Sequence, residues 1–406
     1  MSLPSIRTVQ VIDTYFPLVD GVIQTVNNYA TYLNPDCPTA VVFPQQLGAY
    51  DYDALPYPVH ALKQMRMRFN EYALPGLNME NELTAFLDEF RPELIHVHSP
   101  FFTGQAALRY AKKKHIPSVA TFHSKYYDDA INMTGSRQIA RVVADYVVRN
   151  YNKATQVWAC SAGTADTFRS YGYTGEIFVM DNGSSYNVPA ERRPVLQSRA
   201  AEAFGIPTDG KLLLFVGHQI WHKNIKLVLD TVKLLLTRDP SYRLLIAGEG
   251  YDGEAIRAYA EKLAFPDGAV RFLGKIADRD LLAGVMLSAD LFFFPSVYDN
   301  SPLVVRESAS LGLPSLLTEG SNAAEVIVKD FSGFTAAENP AAMADEIQRI
   351  FASPELLAKV RRNAEQTAKS WPEIVDTVHE KYCALIETYR STKKKRKKDF
   401  FRPEIF

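Results

Sequence analysis

Short apolar runs rich in β-branched and aromatic residues alternate with helix-patterned segments over nearly the whole chain, and that alternation rules out most architectures. TVQVID (8–13), ELIHVH (93–98), SVATFH (118–123) and QVWAC (156–160) read as one set of strands. LLLFVG (212–217), RLLIAG (243–248), AVRFLG (269–274) and LFFFPS (291–296) read as a second set. Near-continuous apolar strands separated by amphipathic helices make parallel sheets with crossover helices. Between the sets, DNGSSYNVPAERRP (181–194) joins Asn-Gly, serines, prolines and charge without periodicity, and reads as a linker. The 406 residues leave room for two domains of ~100 to 200 residues each. The expected fold is therefore α/β, with two doubly wound Rossmann-like domains facing across a cleft. Ligands in such folds bind outside the carboxyl ends of the strands, which directs attention to the loops there.

Composition narrows the class. The chain is 47% apolar and 22% charged, as in an ordinary globular protein. Its apolar runs stop far short of the ~18 residues a bilayer span needs, and the N-terminus lacks a charged region followed by an apolar core. Cys37, Cys160 and Cys383 lie far apart with no CxxC spacing, so neither a disulfide framework nor a cysteine zinc site is expected. A cytoplasmic protein fits this pattern. Residues 393–406, KKKRKKDFFRPEIF, carry a net charge of +5 in a chain of net −1.

Four loops at predicted strand ends carry the polar chemistry. After strand 8–13, Asp20-Gly21-Val22 opens a predicted helix reaching about Leu33, where amides could hold an anion or simply make a turn. No GxGxxG or GxxxxGK[ST] pattern is present, so the nicotinamide and P-loop fingerprints are absent. His96, His98 and His123 fall at neighbouring strand ends. Without the spacing of a metal motif they read as core or loop histidines, with His123 the candidate for substrate contact. VGHQIWHKN (216–224) leads from a strand into a helix and places Lys223 at the helix start, suited to a phosphate or to solvent. In VYDNSPLVVRESASLGLPSLL (297–317), Ser301 is the expected N-cap and Pro302 the first helical residue. Asp299 and Glu307 would flank that helix start. They suit sugar and ribose hydroxyls while the amides near Leu303 and Val304 suit phosphate oxygens; capping and solvation are the plain alternative.

In this order and at these strand ends, the four loops resemble glycosyltransferase family 4, the retaining nucleotide-sugar enzymes of GT-B fold. The similarity spans Tyr15 to Tyr389. The resemblance implies that Gly21 and Val22 lie against a donor diphosphate and that His123 in ATFHSKYYDDA touches the transferring sugar. It gives Lys223 to the diphosphate, the first acid of the E-x(7)-E element to sugar hydroxyls and the second, Glu307, to ribose. Two positions depart from the family pattern: His218 stands where the family has arginine, and Asp299 stands for the first glutamate. HVHSPFFTG, TFHSKYYDD and YFPLVDGVIQTV look most like the branch that glycosylates membrane lipids, notably diacylglycerol glucosyltransferases and lipid mannosyltransferases.

The resemblance thus implies an acceptor domain over 1–185, a nucleotide domain over 195–370, and a last helix over 371–390 returning to the first domain. A basic tail, 391–406, would follow. The implied reaction is retaining transfer of a hexose from a UDP- or GDP-linked sugar to an acceptor hydroxyl, with a membrane lipid as acceptor. No cofactor or metal is expected: Lys223, helix amides and a charged His218 would neutralise the leaving diphosphate. An Asp-x-Asp signature is absent from the cleft strands, the nearest match being Asp51-Tyr52-Asp53. Lys393–Lys398 near an anionic leaflet would contribute at most ~1 kcal/mol per charge, with Phe400, Phe401 and Phe406 adding insertion. A bare solvated tail is the alternative, and no nucleic-acid partner is expected. The runner-up function is a non-catalytic GT-B paralogue that senses a sugar nucleotide or serves as a partner subunit. An epimerase on the same fold is a third.

Overall fold

The computed structural model describes residues 3–69, 72–207 and 210–400. They form two compact units, unit 1 from Met1–Asp181 with Trp371–Phe406, and unit 2 from Asn182–Ser370. The strands of unit 1 are β1 (Thr8–Val11), β2 (Thr39–Pro44), β3 (Val59–Leu62), β4 (Gln64–Phe69), β5 (Tyr72–Pro75), β6 (Leu94–Val97), β7 (Ser118–Phe122), β8 (Gln156–Ala159) and β9 (Ile177–Val179). Those of unit 2 are β10 (Lys211–Val216), β11 (Tyr242–Ala247), β12 (Val270–Gly274), β13 (Leu291–Phe293), β14 (Ser315–Thr318) and β15 (Phe334–Ala336).

Among the described residues, unit 1 builds a sheet in the order β3-β2-β1-β6-β7-β8-β9, all parallel, and β4 and β5 form a separate antiparallel pair. Unit 2 builds a parallel sheet in the order β12-β11-β10-β13-β14-β15. Each order runs outward from its first strand and then reverses, as the doubly wound fold does. The reversal lies between β1 and β6 in unit 1 and between β10 and β13 in unit 2. The α/β class expected from the alternating pattern is the one observed.

Burial follows from this layering. All four residues of β1 and all four of β6 are inaccessible, since helices cover both sheet faces. Helix Gly21–Leu33 is started by Asp20, whose carboxylate accepts the Ile23 amide at 2.8 Å, and buries Ile23, Val26 and Ala30. In unit 2, Leu213 and Phe215 of β10 pack with Val228, Val232 and Leu235 of helix Ile225–Arg238.

The segment read as a linker is shorter than expected. Helix Arg193–Phe204 already begins within it, and the Ser184 amide donates to Lys369 O at 2.8 Å inside unit 2. The last helix, Trp371–Phe400, belongs to unit 1 and buries Trp371, Val375, Val378 and Tyr382 on one side. Removing the wholly buried Trp371 side chain would cost about 3–5 kcal/mol. This helix runs past Arg390 through the Lys/Arg run, because lysine and arginine are good helix formers. Phe401 and Phe406 lie outside the described residues.

Candidate functional site

In unit 2 the loops after β10 and β13 flank the reversal of strand order. The first passes under Gly248, whose φ of +126° and absent side chain are both required: a Cβ there would lie 2.0 Å from Gly217 O. His218 is exposed on this loop. Lys223 is not in the first turn of the following helix, as the sequence reading had it. It ends a 3-10 turn, Trp221–Lys223, and Asn224 in a left-handed conformation intervenes before Ile225.

The Lys223 ammonium meets the Asp299 carboxylate at 2.6 Å, with the two side chains only 15% and 18% exposed. The other Asp299 oxygen accepts the Ser296 hydroxyl at 2.6 Å, and the Phe294 ring lies 5.5 Å from the ammonium. Two residues expected to meet different parts of a ligand therefore meet each other. An ammonium has three donors, so this pairing leaves capacity for phosphate oxygens.

Glu307 lies on helix Leu303–Ser310, and its carboxylate accepts from the Arg279 guanidinium at 2.7 Å. Arg279 also covers the Tyr186 ring at 4.4 Å. Burial works against the Arg279 charge, but Glu307 and Tyr186 outweigh it and raise its pKa above the ordinary value. Sequence reasoning missed Arg279, which stands in no recognisable motif and joins Glu307 only through the fold. The expected cap is also corrected. Pro302 takes the N-cap position with no side-chain cap, and the Ser301 hydroxyl instead accepts from Arg306 at 3.2 Å. Leu303 and Val304 are the first two helical residues, and the first amides of a helix lack intrahelical partners.

In unit 1, Gly21 begins its helix on the surface, and a Cβ there would meet no atom within 4 Å. Val22 follows, half-buried. Across the reversal between β1 and β6 stands Asp13, another residue the sequence reading did not single out. Its carboxylate accepts the Ser99 hydroxyl at 2.7 Å and the amides of Phe101 and Thr103 at 3.1 and 2.7 Å. It thereby ties the loop after β1 to the start of helix Phe102–Lys114. Burial raises the Asp13 pKa above the ordinary carboxyl value despite these hydrogen bonds.

His96, His98 and His123 do come together. His123 is 9% exposed, and its Nε2 lies 3.1 Å from His98 Nδ1. His98 Nε2 is 2.8 Å from Gln10 Oε1, and His96 bonds Thr121 Oγ1 at 2.6 Å and the Tyr382 hydroxyl. Both ring nitrogens of His96 and of His98 thus have protein partners, which leaves them none for a metal. Burial pushes the pKa of His96 and His98 well down and that of His123 to about 3, so all three are neutral at pH 7.

Two family models match the chain: Glycosyltransferase Family 4 over residues 19–185 and Glycosyl transferases group 1 over 197–367. An alpha-monoglucosyldiacylglycerol synthase of Streptococcus pneumoniae is 24% identical over 74% of this chain and 68% of that protein. A GDP-mannose-dependent alpha-(1-6)-phosphatidylinositol dimannoside mannosyltransferase of Mycobacterium tuberculosis is 27% identical over 71% of this chain and 73% of its own. The crystal structure of Anabaena Alr3699/HepE in complex with UDP superposes with a TM-score of 0.75 at 15% identity, covering 93% of this chain and 100% of that one.

Proposed function

Because the chain belongs to the glycosyltransferases of family 4 and group 1 type, with the GT-B fold, we propose that it moves a hexose from a nucleoside diphosphate sugar to the hydroxyl of a membrane lipid, with retention at the anomeric carbon. The bond from the anomeric carbon to the diphosphate breaks, the acceptor oxygen takes its place, and the hydroxyl proton leaves with the diphosphate. The observation that carries this reading is the Lys223 ammonium in the loop after β10, mostly buried and paired with Asp299, which lies four residues before helix Leu303–Ser310 in the chain. A cation held in low-dielectric surroundings stabilises charge that develops on a departing diphosphate, without a metal ion.

In this reading Lys223, the Leu303 and Val304 amides and the exposed His218 serve the diphosphate. Asp299 and Ser301 serve sugar hydroxyls, and Glu307, aligned by Arg279, serves ribose. In unit 1, His123 serves the transferring sugar and Gly21 and Val22 the diphosphate. A lipid acceptor is supported by the named activities of the relatives and by the basic end of the last helix. No helix among the described residues is long and apolar enough to cross a membrane. Lys393–Lys398 then hold the protein on the anionic inner face of the plasma membrane.

A thermal-shift screen against UDP- and GDP-linked hexoses tests the donor. Ligand at 100 times its dissociation constant stabilises by ~2.7 kcal/mol, and no shift with any nucleotide sugar would sink the reading. Transfer to diacylglycerol or phosphatidylinositol in vesicles then identifies the acceptor. Removal of residues 393–406 is expected to weaken binding to anionic vesicles in a salt-dependent way. Equal sedimentation of the two forms would remove the membrane role.

A further inference from the structure

Glu307 sits in a closed ring of contacts, all of them within unit 2. Its Oε1 accepts from the Arg279 guanidinium at 2.7 Å, and that guanidinium lies 4.4 Å from the centre of the Tyr186 ring. Tyr186 belongs to the segment whose composition reads as a linker, yet only 8% of it is exposed, and its hydroxyl donates to Arg279 O at 3.2 Å. The return path runs through two serines. Ser310 has one hydroxyl proton and gives it to Glu307 O at 2.8 Å, so Ser310 Oγ, 2.7 Å from Ser184 Oγ, accepts the Ser184 proton. Ser184 Oγ in turn accepts the Tyr186 amide at 3.1 Å.

Arg279 needs such a hold. It opens helix Arg279–Ser288, and its side chain is 48% exposed, so an ion pair alone restrains its orientation only weakly. Tyr186 grips it twice, by the hydroxyl at its carbonyl and by the negative face of the ring at its guanidinium. Burial, and then the Glu307 charge, raise the Tyr186 pKa above the ordinary value, so the phenol stays protonated and remains a donor. Among the described residues Arg279 is the one donor that meets the Glu307 carboxylate, which leaves the second oxygen for a ligand hydroxyl.

We propose that Tyr186 positions Glu307 for the ribose of the nucleotide: its ring holds the Arg279 guanidinium, which occupies one carboxylate oxygen and so directs the other to the ribose hydroxyls. This rests on the assignment of Glu307 to ribose. Tyr186 is a positioning residue, packed in the unit 2 core and acting through Arg279.

Isothermal titration of the full chain with UDP and GDP, each beside its 2′,3′-dideoxyribose counterpart, tests this. The wild-type protein is expected to prefer the ribose form on the order of tenfold, as hydrogen bonds to a carboxylate do. Tyr186→Leu is expected to weaken the ribose form about fivefold and leave the dideoxy form unchanged, whereas Tyr186→Phe, which keeps the ring, retains the preference. Equal weakening of both forms would show a merely structural tyrosine and overturn the proposal. So would a loss in Tyr186→Phe as large as in Tyr186→Leu. Should Tyr186→Leu fail to fold, increasingly fluorinated phenylalanines at position 186 decide, because fluorine drains the ring face at little change in size. A stepwise fall in ribose preference supports the proposal, and a flat response overturns it. Equal binding of the two forms by the wild-type protein removes the ribose assignment and the proposal together. A preference that survives in Tyr186→Leu removes the proposal and leaves the assignment standing.

Discussion

At the carboxyl ends of β1 and β6, unit 1 seals its polar side chains from water. Gln10, His96 and His98 are wholly buried and neutral, and Asp13 spends its carboxylate on a hydroxyl and two amides. At the corresponding ends of β10 and β13, unit 2 holds ion pairs that are less completely covered: Lys223 with Asp299, 15% and 18% exposed, and the buried Glu307 with an Arg279 side chain 48% exposed. One strand order serves both, so topology supplies the place but not the chemistry. Burial makes the difference. A sealed set of hydrogen bonds can fix geometry and protonation state, whereas only charges that water or a ligand can reach are able to exchange one partner for another.

Acid should separate the two units most strongly. The His123 pKa falls from the ordinary 6.5 to about 3 on folding, so the unfolded chain binds a proton below pH 6.5 that the native protein refuses. Stability is then lost as pH falls through that window, by about 3 kcal/mol at pH 4 from His123 alone, with His96 and His98 adding in the same direction. Amide hydrogen exchange between pH 7 and 4 should show protection fading first in the unit 1 sheet. Parallel loss in both sheets would erase the contrast.

Lys223→Ala is expected to lower turnover on the order of 100-fold with a proven donor, and to lower the melting temperature as well because the mostly buried Asp299 carboxylate loses its counter-ion. A loss below threefold would show that the pair with Asp299 is structural only.

Asp13→Asn makes the opposite exchange in unit 1. An amide has one accepting oxygen where the carboxylate uses two, so its NH2 group would face a donor. The expected result is a loss of about 2 kcal/mol in denaturant unfolding, with donor affinity retained in the folded fraction. Undiminished stability would mean that the carboxylate does not hold the loop to helix Phe102–Lys114.

The smallest effect is expected at His218, exposed on the loop after β10, where the sequence resemblance implies an arginine. His218→Arg supplies a cation that needs no added proton, and donor affinity measured at pH 8 should rise by about threefold. An unchanged affinity would place His218 away from the diphosphate.

Much of the fold is legible in short stretches of sequence. TVQVID, ELIHVH, SVATFH and LLLFVG each contain a strand, and Asp20 with Gly21 marks a helix start, because apolar runs and caps act over a few residues. β2, β3, β4, β5, β9, β14 and β15 fall outside the runs read as strands; β9 and β15, of three residues each, are too short to show a period, whereas β2, TAVVFP, has six residues, all buried. The candidate loops were located for the same local reason, yet their internal partners were not. Tertiary structure alone brings Lys223 to Asp299 across 76 positions, Gln10 to His98 across 88 and to Tyr382 across 372. Local sequence determines which segments become strands and helices, because backbone preference and side-chain periodicity operate between neighbours. Which imidazole is neutral, and which lysine is paired, is decided by packing, because burial and hydrogen-bond geometry are set by residues remote in the chain.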